Sequence, residues 1–223
     1  MARAQDTSLD ALRVRLAPAI AAAALFDGWT EAAVLAAADS EGVDPDLARL
    51  AFGGEGHVRP MAMITAWIHA VDAAMAAAWP PERLAALSVR ARIQTLIEFR
   101  LDAAARHEES LRRALAIMAM PQNAASALKL GWESADRMWR LAGDTAADFN
   151  HYTKRATLAA IYAAALTVLQ GDESEGKAEM RAFVARRIDG VMRFEKAKAR
   201  WKVPEGHHFS PARFLGRLRY PAK

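Results

Sequence analysis

Apolar residues recur along this chain at intervals of three and four, and no segment sustains alternation of apolar and polar positions, so the pattern predicts helices from end to end and an all-α protein. Residues 9–26 form the first predicted helix, closed by the Asp27-Gly28 pair; Thr30 is the predicted cap of a second helix that Gly42 ends. Asp44 caps a short third helix with Pro45 at its first position, running to about Phe52 before a Gly-Gly-Glu-Gly break. Pro60 opens a fourth helix through Trp79, and Pro80-Pro81 forces a turn before a long fifth helix to about Ala105. Residues 107–120 make a sixth, Pro121 breaks it, and predicted helices over 122–142, 147–170 and 175–200 complete a set of nine. The chain then divides into an N-terminal unit, 1–56, a body, 57–200, and a tail, 201–223.

The tail begins as a loop, WKVPEGHHFS, after which Ser210 and Pro211 open a last short helix. Its Phe214, Leu215 and Leu218 form one apolar arc flanked by Arg213, Arg217 and Arg219, the pattern of a basic amphipathic segment suited to a membrane interface. At 223 residues, 53% hydrophobic and 25% charged, the composition is that of a folded protein with one sizeable core. The absence of cysteine excludes disulfides, thiolate nucleophiles and sulfur-built zinc sites. Acidic Asp6 and Asp10 interrupt the N-terminus, so neither a secretory nor a transit peptide is read there, and the longest apolar run, residues 156–169, is shorter than the roughly 20 residues that span a bilayer. The expected setting is the bacterial cytoplasm, with peripheral contact to the inner membrane. Charge is uneven: residues 1–56 carry four basic and nine acidic side chains, whereas 171–223 carry thirteen basic and seven acidic.

Residues 132–162 hold the most informative pattern. At 100° per residue, Asp148, His151, Tyr152, Arg155 and Tyr162 fall on one helical face, while residues 156–169 are apolar on every side and are expected to serve the core or a lipid cavity. The wording GDTAADFNHYTKRATLAAIY, preceded by W..AD.MWR, resembles the ubiquinone-biosynthesis accessory proteins that bind lipid and assist demethoxyubiquinone hydroxylase. The similarity extends back through Arg112, Arg113 and the ALAIMAMPQNAA stretch, forward through FVARRIDGVMRFEKAKAR, and loosely to FDGWTEAA at residues 26–33. It departs after Phe52, where the family usually has proline. Nine helices with a helix-turn-helix-like front also resemble the TetR-type repressor fold, which that family shares.

The resemblance implies a non-enzymatic protein without a cofactor that encloses an isoprenoid or phospholipid ligand and presents a polyprenylated quinone intermediate to a hydroxylase. Candidate lipid-lining residues are Leu96, Ile97, Phe99, Leu115, Met118, Leu128, Trp132, Trp139, Phe149 and Phe183. The family's hydroxylase-docking patch, an Asn-Trp-Tyr run with a methionine on the preceding helix, maps onto Asn150, His151, Tyr152 and Met138, joined by Asp148, Lys154 and Arg155. His151 stands where tryptophan is usual, which removes one of the commonest interface anchors. The fold resemblance also implies a homodimer.

Two other functions bear on the same features. A TetR-type DNA-binding regulator with an apolar ligand is the alternative, yet the third helix offers Asp44, Asp46 and only Arg49, and an acidic front is repelled by phosphates, so no nucleic-acid partner is expected. Metal catalysis is suggested by Asp148 with His151 and by Glu205 with His208, but the second pair lies in a proline-glycine loop, whereas di-iron ligands come from facing bundle helices; no metal site is expected.

Overall fold

The computed structural model describes residues 8–54, 57–145 and 149–201, and among them it is helical almost throughout. Ser8 Oγ accepts from the Ala11 amide and starts α1, Leu9–Asp27. α2, Glu31–Ser40, follows without the predicted side-chain cap, because Thr30 Oγ1 donates instead to the Asp27 carbonyl. It ends in a reversal in which Gly42 adopts φ 62 and the Val43 amide reaches back to Ala38 O, the six-to-one bond of a Schellman motif. α3, Pro45–Phe52, has the predicted cap: Asp44 Oδ1 accepts from the amides of Asp46 and Leu47. The glycine break after it forms a short antiparallel bridge, Gly53 opposite Val58 and Gly54 opposite His57.

The predicted long fifth helix is two. After α4, Pro60–Ala78, the chain makes the five-residue α5, Pro81–Ala85, and then α6, Val89–Ala105, which Ser88 caps through its hydroxyl. Arg92 stabilises the break by donating to the carbonyls of Ala85, at the end of α5, and of Leu87 in the turn that follows. α7, Glu108–Met118, precedes a single 3-10 turn at Pro121–Asn123; α8, Ala124–Leu141, α9, Phe149–Gly171, and α10, Ala178–Trp201, bring the described helices to ten. The chain separates into two compact units, residues 1–186 and 187–223; α1 to α9 and the packing among them belong to the first.

α1 lies against α2, α3, α4 and α7, burying Leu12, Leu16 and Ile20. Trp29, also buried, ties the front to the body: its Nε1 donates to Ser110 O, while Ser110 Oγ donates to Ala21 O. Arg112 and Arg113, both within the family resemblance, share Glu109, whose carboxyl their hydrogen bonds hold down at about 2, and Arg113 also reaches the last carbonyls of α1. α4 packs on α6, α7 and α8, and α9 on α8 and α6. By length and composition alone α4 is apolar enough to cross a membrane, but it buries Met63, Ile64, Trp67 and Met75 against these neighbours and carries an ion-paired Asp72, which makes it a core helix.

Candidate ligand cavity and docking face

Four helices around α9 do not close completely, because α9 presents alanine where larger side chains would fill the space. Ala156, Ala159, Ala160, Ala163, Leu166, Thr167 and Gln170 recur at helical spacing and form one wall of a cavity of about 880 Å³. The opposite walls are Ile64, Trp67, Ile68 and Val71 of α4, Leu111, Leu115 and Met118 of α7, and Leu128, Leu130 and Trp132 of α8. Leu128 is 78% exposed and so stands at the opening. Residues 156–169 divide between core and cavity: Leu158, Ala165 and Leu169 are buried, whereas Ala156, Ala160 and Ala163 line the cavity and remain exposed.

Of the candidate lipid residues, Leu115, Met118, Leu128 and Trp132 line this space. Leu96 and Ile97 do not; they are fully buried in the packing of α6. Phe99, Trp139 and Phe183 are half-buried and also stand off the lining, Trp139 because its Nε1 is engaged by Lys154 O and its ring by the Lys154 ammonium at 5.2 Å. The side chain of Phe149 lies outside the described residues. The α4 contribution escaped the sequence reading because its Ile and Trp positions are indistinguishable by periodicity from ordinary core.

One feature of the lining is charged. Arg100 of α6 is 2% exposed and lines the cavity with Ser134 and Tyr162. Its Nη1 pairs closely with Asp72 of α4, its Nη2 donates to Ser134 Oγ at 2.9 Å, and its guanidinium carbon lies 5.0 Å from the Tyr162 ring centroid. Asp72 is met on its other oxygen by Arg137 at 3.6 Å.

The predicted docking residues divide into a surface part and a buried part. Tyr152 is 61% exposed, and its ring centroid lies 5.1 Å from His151 and 6.1 Å from Trp132, so the aromatic cluster spans α8 and α9. Trp132 thus belongs to both the cavity wall and this cluster. Met138 and Arg155, by contrast, are buried and present no side chain to a partner; this corrects the placement read from the sequence. Arg155 instead binds Asp136 Oδ1 at 2.6 Å, Asp144 Oδ2 at 3.1 Å and the His151 carbonyl, while Lys154 pairs with Asp144 Oδ1 at 2.7 Å. Gly143 makes this possible: at φ 88 it reverses the chain at the end of α8, the Asp144 amide returns to Trp139 O, and the Asp144 carboxylate is delivered to α9. Burial pushes the Asp136 and Asp144 carboxyls up, but the hydrogen bonds and charges of Arg155 with Arg140 or Lys154 outweigh it, and both are held below the usual carboxylate range. Asp148 and the Asn150 side chain lie outside the described residues, as do Glu205, His208 and the tail residues Arg213, Phe214, Leu215, Arg217, Leu218 and Arg219. Among the described residues no three His, Asp or Glu side chains gather into a metal-binding group.

An all-helical chain with a short helix-turn-helix-like front and a cavity among its later helices is of the TetR-like class, and a solved structure agrees. A TetR transcriptional regulator from Nitrosomonas europaea superposes with a TM-score of 0.60 at 20% identity, over 81% of this chain and 98% of that one. The COQ9 family model matches residues 124–195, which span α8, α9 and most of α10. The ubiquinone biosynthesis protein COQ9 of Rattus norvegicus and that of Homo sapiens are each 32% identical to this chain over 168 residues, 74% of its length. This chain is therefore similar to the COQ9 proteins, in line with its sequence resemblance; it spans about half of their length, 54% and 52% respectively. Both relatives, and a probable one from Dictyostelium discoideum, are named as mitochondrial, which overturns the expectation of a bacterial cytoplasmic protein.

Proposed function

We propose that this protein is a lipid-binding accessory factor of ubiquinone biosynthesis, without chemistry of its own, that holds a polyprenylated quinone intermediate and presents it to a hydroxylase. The observation that carries this reading is the 880 Å³ apolar cavity among α4, α6, α7, α8 and α9, of which α8 and α9 lie within the segment matched by the COQ9 family. Its volume falls in the range of small-molecule sites, and its opening at Leu128 leaves room for a longer tail to emerge. The Trp132, His151 and Tyr152 cluster adjoins the wall through Trp132, so a partner docked there meets the bound lipid at short range. Basic residues of the tail bring the molecule to anionic lipid, and a homodimer is the expected assembly.

Mass spectrometry of lipids extracted from purified protein tests this: an isoprenoid quinone or its precursor at near-stoichiometric amount is the expected result, and protein free of lipid overturns it. A regulator of transcription is the competing reading, favoured by the solved neighbour. The front of the molecule opposes it, since Arg49, the cation of α3, is tied to Glu31 at 2.7 Å and Asp46 at 2.8 Å. Saturable, sequence-specific gel retardation at low salt would decide for the regulator.

A further inference from the structure

The cavity combines apolar walls with a guanidinium that is not fully hydrogen-bonded. Arg100 Nε is a buried donor without a partner among the described residues, while both terminal nitrogens of the same side chain are held by Asp72 and Ser134. Such a group costs free energy unless an acceptor reaches it. The charges around it are unbalanced as well. Arg100 and Arg137 share one carboxylate, Asp72, so this triad retains a formal positive charge beside an apolar space. Tyr162 lies against the guanidinium, so a flat π surface neighbours the charge, and Trp67 and Trp132 line the same cavity.

We propose that Arg100 anchors the polar head of the cavity's ligand: an oxygen of a prenylated quinone or phenol ring accepts a hydrogen bond from Arg100 Nε, and the apolar walls receive the prenyl tail. Asp72 and Ser134 are positioning residues that fix the guanidinium plane. The assignment rests on the lipid-binding reading above and adds to it a chemical choice, because a cavity with apolar walls alone does not distinguish a ringed head from plain hydrocarbon. A lipid phosphate offers the same acceptor chemistry, and the experiment separates the two sources.

Removing Arg100 alone leaves Asp72 buried with only the exposed Arg137, so the informative variant replaces the pair together, Asp72→Met with Arg100→Met, an exchange that buried ion pairs commonly tolerate. Titration calorimetry in one detergent compares ubiquinone with a two-isoprene tail, farnesene, and dioleoyl phosphatidylglycerol. The double variant is expected to bind farnesene as wild type does and ubiquinone about tenfold to a hundredfold more weakly, the range for a lost hydrogen bond to a charged group. Arg100→Lys, which keeps the charge but not the Nε donor, is expected to lose ubiquinone affinity too, and it decides the matter if the double variant does not fold. Unchanged ubiquinone affinity, or equal losses for ubiquinone and farnesene, overturns the anchor and leaves lipid binding intact. Loss confined to phosphatidylglycerol assigns the site to phosphate and overturns the ring. Failure of wild type to bind any of the three overturns the lipid-binding reading and the anchor with it.

Discussion

Arg155 and Tyr152 lie three residues apart on α9 and are opposite cases of one sequence pattern. Both are polar residues of a helical face that looks like a docking surface, yet Tyr152 is 61% exposed and Arg155 is 1% exposed. Periodicity placed them on the same side of the helix; only the return of the chain at Gly143 covered one of them with Asp144. Arg155→Met removes a buried cation from two carboxylates and should destabilise the fold by roughly 3–5 kcal/mol, seen as a lowered midpoint in urea. Tyr152→Lys should leave that midpoint within about 0.5 kcal/mol of wild type while abolishing capture of the hydroxylase partner in a pull-down. A large loss of stability in the second variant would show that Tyr152 serves packing instead. His151, where the resemblance implies tryptophan, forms a triangle of rings with Tyr152 and Trp132, so an aromatic contact across α8 and α9 includes a position that the sequence marked as lipid-lining.

At the scale of elements, residues 156–169 of α9 were legible as core or cavity, but not which of them do which. An alanine-rich run reads as interior because alanine is apolar; its small volume is what leaves the space open, and volume has consequences only against named neighbours. Ala159→Phe should fill part of the cavity, reducing bound lipid several-fold in extraction and mass spectrometry while far-ultraviolet dichroism stays unchanged. The junction of α8 with α9 carries a pH dependence whose sign follows from its acids. Asp136 and Asp144 have folded-state values below their unfolded ones, so their contribution is present above about pH 4, the ordinary carboxylate value, and is lost as pH falls through the lower folded values. Urea midpoints should therefore hold steady from about pH 7 to 5 and drop below about pH 4. In Arg155→Met the acid drop should shrink, because its cause has been removed. The split of the predicted fifth helix belongs at this scale too: Arg92 joining the ends of α5 and α8 is a contact across 50 residues that local pattern does not show.

For the whole molecule, the charge asymmetry and the basic tail are the sequence features on which the proposed membrane contact rests. Deleting residues 204–223 should reduce flotation with anionic liposomes at low salt by several-fold and leave the melting temperature of residues 1–186 as it was; unchanged flotation would remove the tail from the mechanism. The all-α class, most helix limits, the Asp44 cap and the family resemblance over α8 to α10 were determined by sequence alone, because hydrophobic period, capping and turn chemistry are local and repeat along the chain. Which residues line the cavity, that Met138 and Arg155 are interior, and that Arg100 is in the lining, with a buried Nε that has no partner among the described residues, were decided only by tertiary structure. The physical reason is distance along the chain: Asp72, Arg100, Ser134 and Tyr162 belong to four helices, and no spacing rule reports which face of one helix meets which face of another until all of them have packed.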